Sequence, residues 1–119
     1  MSRPLETTDY LYALTRQIDR VAEIATRYFD DASRKPAIHR AKALIGSVLV
    51  LYSMALPVVE EAGRVDTGAL KSNLAELAGA LAGDPSRYVK TALDAYSELI
   101  RALYLSRLLF RMGMEPLVA

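Results

Sequence analysis

Apolar positions along this chain recur with the period of the α-helix, and no stretch shows the strict alternation of a strand. A first helix is expected over about residues 8–32. At about 100° per residue, Leu14, Ile18, Val21, Ala25, Phe29 and Ala32 fall on one side of it, with Leu11, Ala22 and Tyr28 flanking them. Arg16, Arg20, Arg27 and Arg34 fall on the other side.

A second helix is expected over 36–62. Pro36 suits its first turn, because a fixed φ and a missing N–H cost nothing there, and Gly63 follows its end. From Ala43 to Val59 it runs seventeen residues without a charged side chain. Such a segment must hide nearly its whole circumference, as a central core helix, an assembly interface or a short membrane span. A bilayer span needs about 20 apolar residues. This run falls short and contains Gly46, two serines and a proline, so a core helix packed by three others is expected. Its apolar surface has one interruption, a narrow stripe of Lys42, Gly46, Ser53 and Glu60. Pro57 should kink the helix, because its ring clashes with the carbonyl of Ser53.

A third helix, over 67–82, starts at an Asp66/Thr67 cap and carries Leu70, Leu74, Leu77 and Leu81 before Gly83. Its small residues Ala75, Gly79 and Gly83 would let a neighbouring backbone come close. A fourth is expected over 85–113, with Asp84 as N-cap and Pro85 at the first position. Short loops favour antiparallel neighbours, and the expected fold is all-α, a four-helix bundle-like single domain with a Pro-kinked apolar second helix.

The fourth helix changes character part-way. Through Leu103 it is ordinary, with Tyr88, Ala92, Ala95, Tyr96, Leu99 and Leu103 inward and Arg87, Lys90, Asp94, Glu98 and Arg101 outward. Beyond that, Leu105, Leu108, Leu109 and Met112 take the outward side while Phe110 keeps the inward one. A helix apolar on both sides wants two partners, and the tail MGMEPLVA, with Leu117, is apolar too. Self-association through this surface is the expectation; the tail folding back over these leucines is the alternative.

Composition bounds the rest. A chain of 119 residues is one domain, able to bury about two thirds of the surface it would expose unfolded. The absence of Cys excludes disulfides and thiolate metal sites. The start MSRPLETTDY carries no apolar signal-peptide core, so a cytoplasmic or virion location is expected. One Asn, one Gln and no Cys fit a hot habitat, although a GC-rich genome would also favour the eighteen Ala and eleven Arg.

A net charge of +1 does not diagnose a nucleic-acid partner, so that case rests on where the charges sit. The segment RKPAIHRAK holds Arg34, Lys35, His39, Arg40 and Lys42 without an acid. Cations at a helix N-terminus oppose its macrodipole, so something anionic is expected nearby. Asp30, Asp31 and Glu23 are local candidates. Phosphate is the functional one, with Arg16, Arg20, Arg27, Arg34, Lys35, Arg40 and Lys42 as contacts, duplex DNA favoured. A mixed solvated face is the plainer reading.

Catalysis has little to stand on. A single His cannot make a two-His metal site, and the adjacent pairs Asp30/Asp31 and Glu60/Glu61 diverge by about 100° on a helix. His39 has no nucleophile, phosphate loop or cofactor fingerprint beside it, so no enzyme, metal or cofactor is expected.

The Arg-striped first helix (Arg16, Arg20, Arg27, Arg34), the very apolar second helix and the doubly apolar fourth together resemble coat proteins of filamentous archaeal viruses. The resemblance is architectural and spans the chain. It implies subunits that associate through their helices and wrap duplex DNA. The chain is also similar to the small all-helical subunits of archaeal CRISPR effector complexes, which pack in a row along a guide–target duplex. Partners implied are copies of the chain itself or a related helical subunit, with nucleic acid. A homo-oligomeric scaffold or adaptor without nucleic acid, and a short membrane protein, are the rival readings.

Overall fold

Most of the seventeen uncharged residues of the second helix are concealed by surrounding them. In the computed structural model, which describes residues 8–30 and 37–108, the elements are α1 (Thr8–Asp30), α2 (Ala37–Ala62), α3 (Gly68–Ala82), a 3₁₀ turn (Pro85–Tyr88) and α4 (Val89–Leu105). Among the described residues there is no strand, and the fold is all-α and bundle-like.

α2 packs against α1, α3 and α4 at once, and α3 and α4 also meet each other. Leu44, Ile45, Val48, Leu51, Tyr52 and Val59 of α2 have no exposed surface. α2 is long and apolar enough to cross a membrane by length and composition, yet more than half of its apolar window is buried inside the protein. Each fully buried Leu, Ile or Val contributes about 1.5–3 kcal/mol relative to leaving it in water, so this helix holds the domain together.

Two helix pairs are antiparallel, as expected. The Gln17 amide donates to the Ser47 carbonyl (3.0 Å) and the Tyr10 hydroxyl to the Met54 carbonyl (2.6 Å), so α1 descends as α2 rises. Asn73 reaches Tyr52 while Lys71 pairs with Glu60, which sets α3 antiparallel to α2.

The punctuation follows local chemistry. Gly63 sits at φ 66°, where a side chain would be strained, and its N–H returns to the Val59 carbonyl to close α2. Asp66, rather than Thr67, supplies the acceptor at the start of α3, for the Gly68 N–H (2.9 Å). Asp84 caps the 3₁₀ turn by accepting from the Ser86 N–H and hydroxyl. α2 runs through Pro57 without ending.

Three expectations change. Phe29, assigned to the core stripe of α1, is 62 % exposed, and Leu11 joins Leu14, Ile18 and Val21 inside instead. The facing turn of α2 begins with Ala37 and Ile38, both exposed, so the core ends before Phe29. In α3, Ala80 takes the buried place and Leu81 is exposed. Ala75, Gly79 and Gly83 face solvent, and a Cβ at Gly79 would meet nothing within 4 Å, so no backbone approaches there.

The third change is the end of α4, expected at residue 113 and found at Leu105. The Ser106 N–H bonds to the Ala102 carbonyl (2.9 Å), the Arg107 N–H to that of Tyr104 (3.0 Å), and Arg107 adopts φ 63°. That left-handed residue interrupts the helix, and Leu108 just beyond it is helical again. Leu108 is only 3 % exposed and joins the core, whereas Leu105 is 48 % exposed. A non-glycine residue in this conformation costs about 1–2 kcal/mol, and burying a leucine returns about 1.5–3 kcal/mol, so the bend holds. Leu108 is therefore not part of an outer face with Leu105. Leu109, Met112 and Leu117 of the expected self-association surface lie outside the described residues, as do Ala32 and Pro36.

Candidate assembly and nucleic-acid surfaces

The basic stripe of α1 begins as three arginines on one face of a 23-residue helix. Arg16, Arg20 and Arg27 are all exposed there. The same face carries acid. Glu23 forms an i,i+4 ion pair with Arg27 (2.8 Å), and a shallow groove between α1 and α2 is lined by Arg16, Gln17, Asp19, Arg20, Glu23 and Met54. Arg16 also lies over the exposed ring of Tyr12, 5.9 Å from its centroid. Among the described residues Arg20 has no ion pair. The face is basic in patches and interleaved with carboxylates.

The rest of the expected basic set divides. Arg40 is half-buried and held at the end of α1: its guanidinium donates to the Tyr28 carbonyl (2.6 Å) and stacks over the Tyr28 ring, 4.7 Å from the centroid. A cation at the last carbonyls of α1 is favoured by the helix dipole, and this contact ties the start of α2 to the end of α1. Lys42 is exposed near the start of α2. Arg34 and Lys35 lie outside the described residues.

The second surface is the uncovered face of α2. Going round the helix, Ser47 and Met54 are bonded to α1, and Glu60 is paired to Lys71 of α3 at 3.3 Å. Between these edges lie Ala43, Gly46, Val50, Ser53 and Pro57, all exposed or half-buried. Val50 is 49 % exposed. Gly46 has nothing within 4 Å of where a Cβ would stand, so among the described residues the strip is open. The Ser53 hydroxyl turns back to the Leu49 carbonyl (3.0 Å), which removes its donor from the surface. The middle of the strip is thus uncharged and made mostly of small side chains, with Lys42, Glu60 and Glu61 toward its ends. The sequence marked Lys42, Gly46, Ser53 and Glu60 as the interruption in α2, and all four lie on this side; it did not mark Val50.

Polar contacts inside the bundle were not singled out from the sequence. Gln17 and Asn73 are the only side-chain amides of the chain, and both join helices. Their rarity was the available signal. Tyr52 donates to the Ala95 carbonyl (2.5 Å) and burial pushes its hydroxyl up to about 12, with the Glu98 charge adding to the effect and the Asn73 hydrogen bond opposing it. Burial likewise raises Tyr10 and Tyr96, the latter helped by the charge of Asp19. These tyrosines are packing residues with satisfied hydroxyls rather than a stacking platform for bases. Among the described residues no three metal-ligating side chains come together, and His39 is exposed on the first turn of α2.

Comparison with protein-family models, with curated proteins and with solved structures finds no match to this chain.

Proposed function

We propose that this protein is a non-enzymatic structural subunit that assembles through apolar helix faces with copies of itself. The observation that carries the reading is the open strip of α2. The most apolar helix described is the hub of the fold, yet among the described residues it leaves Ala43, Gly46, Val50 and Pro57 without a helix over them. Small side chains let a second helix approach closely, and the exposed Val50 offers an apolar anchor at the centre of the strip. Leu105 adds a second exposed apolar position.

The finer reading is that assembled subunits pack along nucleic acid, as in a viral coat or nucleoprotein filament. Exposed Arg16 and Arg20 support it, one turn apart on α1. Asp19 and Glu23 on the same face favour the second reading, a homo-oligomeric scaffold or adaptor without nucleic acid. Light scattering on a size-exclusion column, with and without a short DNA duplex at low and high salt, separates them. Particles that carry the duplex and release it in high salt support the nucleoprotein reading, because phosphate contacts release counterions. Particles indifferent to the duplex support the scaffold, and a monomer at every concentration defeats both.

A further inference from the structure

The open strip of α2 is matched to a reversed copy of itself. Ala43, Gly46, Val50, Ser53, Pro57 and Glu60 follow one another at intervals of three and four residues in turn, the spacing of a helix–helix seam. Reversed about its middle, the series lays Val50 on Ser53 and Pro57 on Gly46, so each larger side chain meets a smaller one.

The charges at the two ends agree with that reversal. Lys42 and Glu60 are eighteen residues apart, about five full turns, and so stand on the same flank of the strip at opposite ends. Lys42 is exposed and, among the described residues, in no ion pair. Glu60 gives one oxygen to Lys71, yet its side chain is still 46 % exposed, and a carboxylate has a second oxygen to offer. α2 carries Arg40 and Lys42 near its start and Glu60 and Glu61 in its last turn, against its own dipole.

We infer that two copies of the chain pair α2 against α2, antiparallel about a two-fold axis beside Leu51, with Lys42 of each copy on Glu60 of the other. This rests on the self-assembly reading. Each helix end then lies beside the opposite end of its neighbour, where a Lys42 faces the negative end of a dipole and a Glu60 the positive end. A parallel pairing sets Lys42 on Lys42 and Glu60 on Glu60 and loses the match. The antiparallel contact is isologous and closes at two subunits, so larger particles are built from these dimers through another surface.

Sedimentation velocity on Lys42→Glu and Glu60→Lys, each alone and then mixed in equal amounts, tests the register. Both positions are exposed, and circular dichroism checks that each variant keeps its helicity. Alone, each variant sets like charges against one another at both ends of the pair, and association should fall about tenfold. Mixed, the two chains supply opposite charges at both ends, and association should return to the parent's. A mixture of Val50→Cys and Ser53→Cys chains reads the same register covalently, since the chain has no cysteine of its own. Mild air oxidation should join the two variants to each other faster than either to itself. A charge mixture no stronger than its components, charge variants that associate as the parent does, or mainly like-with-like disulfides overturn this pairing while leaving self-assembly standing. A parent that is monomeric at every concentration overturns both and leaves the strip to a different protein partner.

Discussion

The hydroxyl of Tyr52 lies 2.5 Å from the carbonyl of Ala95, wholly inside the core. The Asn73 amide donates to the same hydroxyl at 3.3 Å and to the Glu98 carboxylate at 2.5 Å. One buried oxygen therefore joins α2, α3 and α4. A buried polar group is costly unless satisfied, so this contact rewards only one relative placement of the three helices.

Tyr52→Phe should lower the unfolding free energy by about 0.5–1.5 kcal/mol, the usual net worth of such a bond. Urea unfolding reads the difference. An unchanged midpoint would mean that the contact adds no net stability.

The same hydroxyl gives a pH signature. Below about pH 10 Tyr52 is neutral in folded and unfolded chains alike, and its contribution is fully present. Between the unfolded value of 10.0 and the folded value of about 12, only the unfolded chain loses the proton. Stability should then fall by up to about 1.4 kcal/mol per pH unit from this group. Comparing parent and Tyr52→Phe across that range isolates the effect, and parallel curves would contradict it.

Arg40→Ala should destabilise the α1–α2 connection, since it removes both the bond to the Tyr28 carbonyl and the contact with the Tyr28 ring. A loss of about 1–3 kcal/mol is expected for a charged hydrogen bond with a stacked ring. Binding to DNA should not change beyond the loss of one charge. A variant of unchanged stability that no longer binds would return Arg40 to the ligand surface.

Arg16→Glu with Arg20→Glu should abolish salt-sensitive retention on DNA and leave helicity and assembly as they are, because both side chains are exposed and neither is in an ion pair among the described residues. Retention equal to the parent's would place the α1 face among ordinary solvated surfaces.

The fold was legible because helical period and capping residues agree along most of the chain. The uncharged run had to be central, and Asp84 and Gly63 act as their chemistry predicts. The end of α4 was not legible. Spacing at Leu105, Leu108, Leu109 and Met112 says helix, and only the tertiary reward for burying Leu108 selects a left-handed Arg107. Phe29 was misplaced for a related reason, since a wheel gives the side of a helix but not how far the partner extends. The basic stripe was visible as spacing, whereas the capture of Arg40 by Tyr28 depends on how two helix ends meet. The open strip of α2 was half visible as a run of small and polar residues, and Val50 within it was hidden by its apolar neighbours.

Sedimentation velocity over a wide concentration range, on the parent and on Val50→Glu, tests the assembly claim most directly. The parent should form particles larger than a monomer. Val50→Glu should keep its helicity and associate at least about tenfold more weakly, because a carboxylate buried in an apolar contact costs more than about 1.4 kcal/mol. A parent that sediments as a monomer throughout, or a Val50→Glu chain that assembles as well as the parent, would contradict assembly through the open face of α2.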